Sequence, residues 1–195
     1  MQAPPEPPRV PKPRLEKSDR RRRFLLSLID PRAWAHLLKL VNYYNYSHVV
    51  PLRRIRRGTG VVISPDVVFS HPERIEIGDR VRIGSRCHFW AGPSHGRVII
   101  GADALFGPEV MVTAATYRYN DGHPVTRQHM DEADVLIGRD VWLGTRAVVL
   151  PGARIGDGAI IGAGALVKSE IPPMSIAVGQ PARVVGQREI GARPG

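Results

Sequence analysis

An imidazole titrates near about 6.5, so histidine is the side chain best suited to take a proton from a hydroxyl at neutral pH. His123 lies in Asp121-Gly122-His123-Pro124, inside the long polar stretch AATYRYNDGHPVTRQHMDEAD at 114–134. A loop of that length can carry the ring to a reacting group. Asp121 or Glu109 can orient it by accepting from its other nitrogen. His95 and His88 lie further upstream and are further candidates for the base. With His129 they also keep a metal reading open, in which histidines meet one ion between subunits. No metal is expected here. Cys87, the lone cysteine, is the obvious nucleophile on paper. Its neighbours argue otherwise, because it occupies a position where Ala and Val stand elsewhere in a repeat. A buried thiol is inert packing.

That repeat must position these residues. Ile77, Ile83 and Phe89 are six apart, as are Ile100, Phe106 and Val112, and then Ile137, Leu143, Val149, Ile155, Ile161 and Val167. Four residues after most of them comes a small or β-branched residue: Val81, Cys87, Ala104, Val110, Val141, Ala147, Ala153, Ala159 and Ala165. One large and one small inward residue per six fill a narrow prism without overpacking. A helix has period 3.6, and plain strand alternation does not keep phase over so many steps. Glycine follows the large residue at 78, 84, 101, 107, 138, 144, 156 and 162, but every third step has Trp90, Thr113, Leu150 or Lys168 instead. Three hexads therefore make an 18-residue coil of triangular section. Glycine suits a corner that needs a conformation or a close approach denied to a Cβ. Residues 61–171 are expected to form an all-β, left-handed parallel β-helix. By the same phase Trp142 points outward.

The breaks in rhythm share a phase too. Two extra residues fall between Phe69 and Ile77, five between Phe89 and Ile100, and nineteen between Val112 and Ile137. All leave after the face without glycine, hence from one corner. The loops at 91–97 and 114–134 are expected side by side on adjacent coils, about 4.8 Å apart. A protruding loop on a regular scaffold is where function is expected. Residues 172–195 depart from the hexad and are expected to cap the open edge.

The rest of the chain bounds the partners. Net charge is +10, concentrated near Arg20 to Arg23, yet no nucleic-acid recognition motif accompanies it. No nucleic-acid partner is expected. Residues 1–17 alternate proline and charge and are expected to be disordered. Residues 18–60 form a helical and linking segment: 18–29 suit a short amphipathic helix, and Asp30-Pro31 a second helix start. Two readings stand for it. It packs on the main domain or a neighbouring subunit, or residues 18–30 make peripheral membrane contact, with the arginines beside Phe24, Leu25, Leu28 and Ile29. One cysteine, no apolar run long enough to span a bilayer and no signal-peptide pattern point to the cytoplasm, with association at the inner face of a membrane as the second reading.

The stretches IGDRVRIG (77–84), FGPEVMVTA (106–114), VLIGRDVWLGTRAVVLPGARIGDGAIIGAGALV (135–167) and VGQPARVV (178–185) resemble the hexapeptide-repeat acyltransferases. The resemblance is to the galactoside/maltose acetyltransferase and exopolysaccharide O-acetyltransferase branch. It covers about 125 residues and excludes 1–40. It implies a homotrimer with acetyl-CoA in the groove between two prisms and the acceptor near the long loop. Carried over, Gly144, Gly162, Ala163, Lys168 and Arg183 face the cofactor, and Trp142 lines the same cleft. Backbone amides beside Gly and Ala suit pantetheine amides, and Lys168 and Arg183 suit phosphates. The family's histidine, shortly after the Thr-Ala of FGPEVMVTA, is replaced here by Tyr117. A phenol with a pKa of about 10 is a poor base at neutral pH, which is why His123 stands as the leading candidate.

The resemblance implies an O-acetyltransferase acting on a hydroxyl of a sugar or polysaccharide precursor. Two alternatives remain open. One is N-transfer to an amino sugar; the other is a trimer that kept the scaffold for a binding or structural role.

Overall fold

The computed structural model describes residues 16–189. Most of the Pro-rich stretch 1–17 and the last six residues lie outside them. The chain divides into two compact units, Met1–Asn42 and Tyr43–Gly195.

Helix α1 spans Lys17–Ile29 in the first, and α2, Pro31–Tyr44, starts there and has its last two residues in the second. Asp30 separates them because its Oδ1 accepts the Arg32 N–H at 2.8 Å, and the proline that follows fits a first helical turn. Trp34 Nε1 donates to the Leu28 carbonyl at 2.8 Å and so fastens the elbow. Neither helix has a buried residue.

The second unit is the left-handed parallel β-helix. Its first face stacks Arg56–Arg57, Ile75–Ile77, Val98–Ile100, Val135–Ile137, Arg154–Ile155 and Glu170–Ile171. The ladder thus begins at Arg56. The second face stacks Val62–Ile63, Arg82–Ile83, Leu105–Phe106, Trp142–Leu143, Ile160–Ile161 and Ser175–Val178. The third stacks Val68–Ser70, His88–Trp90, Met111–Thr113, Val148–Val149 and Leu166–Val167. All the pairings between coils are parallel; for example Trp142 sits between Leu105 and Ile160. Every inward residue expected from the hexads is buried, from Ile77 and Val81 to Ala165 and Val167. Phe69, Phe89 and Phe106 stack through the middle at ring separations of 5.5 and 5.2 Å.

The corners resolve what the glycines do. None of the hexad glycines has a positive φ. They are needed for close approach: a Cβ on Gly101 would lie 2.6 Å from Arg139 N, and one on Gly144 2.6 Å from Ala163 N, both backbone atoms of the next coil. The left-handed conformation falls two residues later, on Arg80, Arg86, Asp103, Glu109, Asp140 and Arg146. A non-glycine residue there is strained by about 1 kcal/mol or more. Stacking in register lets these side chains pair along the corner. Arg80 grips Asp103 through two bonds of 2.7 Å, and Glu109 is held between Arg86 and Arg146.

Both ends of the prism are partly covered. Val67 belongs to the first coil, so no earlier coil supplies a donor for its carbonyl. Buried His48, in the short π-helical turn Asn45–Val49, fills that role, its Nδ1 donating at 2.7 Å. At the other end Arg183–Gln187 pairs antiparallel with Ser175–Val178 and covers the second face's last strand. Leu166 N–H donates to the Gly179 carbonyl at 3.0 Å and its carbonyl accepts from Ala182 at 2.8 Å, covering the third face.

Candidate active site

The three insertions leave from one corner, between the third face and the first. Ser70, Trp90 and Thr113 are register partners at the ends of successive strands, and the loops that follow them lie in adjacent layers. Ala91 N–H donates to the Ser70 carbonyl at 3.2 Å, and Ala114 N–H to the Trp90 carbonyl at 2.8 Å. The longest insertion is no open loop. Ala115–Tyr117 pairs antiparallel with Met130–Glu132, so a β-hairpin stands out from the corner. Arg118 Nε on one arm meets Asp131 Oδ1 on the other at 2.6 Å.

The hairpin's return arm brings Glu132 against the shorter loop. Its side chain is 3 % exposed. It accepts backbone N–H bonds from His95 at 2.7 Å, Gly96 at 2.6 Å and Ser94 at 3.0 Å. Burial pushes this carboxyl's pKa up, but the three amides, Gly96 foremost, overcome that and hold it at about 2. Glu132 is therefore a fixed anion at neutral pH. His95 lies beside it, with Nδ1 3.5 Å from Oε2 and a largely exposed ring. This is the one histidine–carboxylate approach among the described residues. The pairing was out of reach from the sequence, where its two halves stand 37 residues apart.

The other expected acid–base residues are spread out. His123 is exposed near the hairpin tip. Gln128 organises the backbone there: its Nε2 donates to the His123 carbonyl, and its Oε1 accepts the Asp121 N–H at 3.1 Å. Neither bond involves the imidazole or the Asp121 carboxylate. Glu109 stands at the preceding corner, and Arg146, then Arg86, hold its carboxyl below the usual range. It has no bond to His123. Tyr117 ends the hairpin's outgoing arm and is half exposed. His88 is exposed on the third face and lines a depression with Arg86, Glu109, Met111 and Arg146. Among the described residues, no three His, Cys, Asp or Glu side chains gather as a metal site.

Cys87 is fully buried, 3.2 Å from the Gly107 carbonyl, and burial pushes its thiol up to about 11. The folded protein is expected to resist iodoacetamide at neutral pH and to be alkylated at Cys87 only after denaturation. Rapid alkylation of the folded chain, read by mass spectrometry, contradicts this.

Most of the residues assigned to the cofactor converge at one corner, where the second face turns into the third. Gly144 faces Ala163 closely, and Gly162 faces Val178 in the next layer. Val178 pairs with Arg183, whose side chain is exposed, as Ala163 is. Lys168 is the exception: it follows Leu166–Val167, at the far end of the third face. Trp142 is half exposed, as its phase required, and lines a groove of about 570 Å³ on the second face with Arg80, Arg82, Leu105, Ile160 and Arg188.

A family model described as bacterial transferase hexapeptide (six repeats) matches residues 134–169. The chain is 34% identical over 146 residues to the galactoside O-acetyltransferase of Escherichia coli (strain K12), covering 70% of this chain and 64% of that one. A solved galactoside acetyltransferase in complex with coenzyme A superposes with a TM-score of 0.66 at 27% identity, covering 78% of each chain. A maltose O-acetyltransferase from Clostridium difficile 630 shares the fold, with a TM-score of 0.65 at 23% identity over 80% of this chain and 86% of that one. The chain spans less than two thirds of the length of the curated relatives it matches.

Proposed function

We propose that the chain is an acetyl-CoA-dependent O-acetyltransferase of the hexapeptide-repeat family, similar to its galactoside/maltose O-acetyltransferase branch. The acceptor is a sugar or polysaccharide precursor. The observation that carries this is the similarity to the galactoside acetyltransferase solved with coenzyme A, beside the hexapeptide match over residues 134–169, which contain Trp142, Gly144, Gly162 and Ala163.

The corner suits such a donor. Glycines at 144 and 162 and the small Ala163 keep the backbone accessible to pantetheine amides, and Arg183 supplies charge for a phosphate. Lys168 serves the same end only if the donor, or a second subunit, spans the third face. In the reaction the acceptor oxygen attacks the thioester carbonyl while its proton passes to an imidazole, and the thiolate of coenzyme A leaves. A backbone amide of the cleft stabilises the developing oxyanion. Two histidines compete for the proton. His123 is the loop histidine favoured by sequence. His95 is favoured by a specific contact, since the fixed Glu132 carboxylate beside Nδ1 can orient the ring.

A homotrimer belongs to the same reading. Leu105, Trp142 and Ile160 are register neighbours on the second face, the first two 44% and 48% exposed, and a neighbouring prism can cover them. A cytoplasmic location accords with an acetyl-CoA donor.

The test is thiol release from acetyl-CoA across a panel of sugars, with product analysis, alongside equilibrium sedimentation. Sugar-dependent release with an O-acetylated product from a trimer is expected. Release with amino sugars alone assigns N-transfer. Coenzyme A binding without turnover assigns a binding or structural role, and a monomer at micromolar concentration removes a site shared between subunits.

A further inference from the structure

Helix α2 divides cleanly into two faces. At 100° per residue, Trp34, Leu37, Leu38, Val41 and Tyr44 fall within an arc of about 120°. Arg32, His36 and Lys39 cluster on the opposite side. The apolar arc is bare: Trp34 is 54% exposed, Leu38 69% and Val41 59%. A 14-residue helix is about 21 Å long, and no helix among the described residues is long and apolar enough to cross a membrane. The arc therefore calls for a surface to lie on.

Charge selects the surface. Lys17 to Tyr44 carries seven Lys and Arg residues against two Asp, with Arg20 to Arg23 consecutive in α1. Docking a second copy here brings two such segments together, and their repulsion opposes the apolar gain. An anionic lipid surface supplies the missing countercharge and accepts the apolar arc. The aromatic residue on this arc fits the same place: tryptophan, here Trp34, is a residue type that settles at the headgroup level. The Trp34 indole N–H is already bonded to the Leu28 carbonyl, so the ring carries no unsatisfied donor into an apolar layer.

We propose that α1 and α2 form an interfacial anchor: the apolar arc of α2 lies in the boundary of an anionic membrane, and Arg20 to Arg23 bind its headgroups. This stands independently of the transferase reading, because no residue of the segment belongs to the candidate active site.

The experiment is co-sedimentation of the full chain with phosphatidylcholine vesicles, with or without phosphatidylglycerol. Binding is expected only with the anionic lipid, and is expected to fall as salt rises. Replacing all four of Arg20 to Arg23 by glutamine should weaken partitioning roughly a hundredfold or more. Leu38→Asp should weaken it about tenfold or more, from the loss of a buried apolar side chain and the burial of a charge. The melting of the β-helix, followed in the same samples, is expected to be unchanged. Failure to bind anionic vesicles, or equal binding by both variants, overturns the anchor. So does a change of oligomeric state in Leu38→Asp without vesicle binding, which assigns the arc to a second copy. Arginine-dependent binding of duplex DNA without vesicle binding overturns it too. Turnover with a soluble sugar, read separately, reports on the transferase alone.

Discussion

His95→Ala is expected to lower sugar-dependent thiol release from acetyl-CoA by roughly 10²–10⁴-fold, the usual contribution of a positioned general base, while His123→Ala stays within a few-fold of the wild type. The expectation rests on orientation. A base must hold one ring nitrogen free for the substrate while the other is fixed, and Glu132 stands 3.5 Å from His95 Nδ1. At His123 the fixed groups are backbone ones, bonded to Gln128. Both variants replace exposed side chains, so stability should hold and kinetics should separate them. The opposite outcome, with His123→Ala inactive and His95→Ala near normal, returns the role to the hairpin tip. Equal retention by both leaves Tyr117 or His88 as the base.

Glu132→Ala is expected to cost about 3 kcal/mol of stability at pH 7, or an equivalent local opening of residues 91–97. Three backbone N–H groups lose a charged acceptor at once, and bonds to a charged group contribute more than neutral ones. Acid should produce the same effect in the wild type. The folded carboxyl titrates at about 2 against an ordinary 4.5. Its contribution is complete above 4.5 and is lost as pH falls from there towards 2, and the shift corresponds to about 3 kcal/mol. Urea unfolding at neutral pH and near pH 3 measures this, with hydrogen exchange at Ser94, His95 and Gly96 as the local probe. If the variant melts like the wild type, keeps the wild type's acid sensitivity and shows no faster exchange at those amides, the strut is not what holds the two loops together.

The β-helix was legible because its constraint is periodic. A coil that must place one large and one small residue inward in each hexad writes that demand at every turn, and Ile77 through Val167 obey it. The common corner was legible for the same reason, since the extra residues interrupt a countable rhythm. Register confirms the count: Arg139 and Asp157 stack 18 residues apart, Arg80 and Asp103 23, and Arg146 and Glu109 37. What lies inside the insertions was not legible. The bonds from Ser94, His95 and Gly96 to Glu132 join two irregular segments, and no period relates one to the other. The residues of the coenzyme corner fall between these cases. Periodicity puts Gly144, Gly162 and Ala163 in adjacent layers, whereas Lys168 sits on a face that resemblance alone did not distinguish. The glycines at the corners were half read. Close approach explains them, and the left-handed conformation falls two residues later, on Arg80, Asp140 and their equivalents and, after Gly156 and Gly162, on Gly158 and Gly164.

A parallel coil of this kind is, in principle, a template for its own extension. Each end offers a rung of unpaired peptide groups, and a second molecule stacked on it would continue the ladder into a filament. His48 occupies the Val67 carbonyl at one end, and the returning strand Arg183–Gln187 runs the wrong way for parallel addition at the other. These two devices obstruct extension at the ends. They steer association towards the sides of the prism and away from its ends, so copies can assemble in a closed ring instead of polymerising.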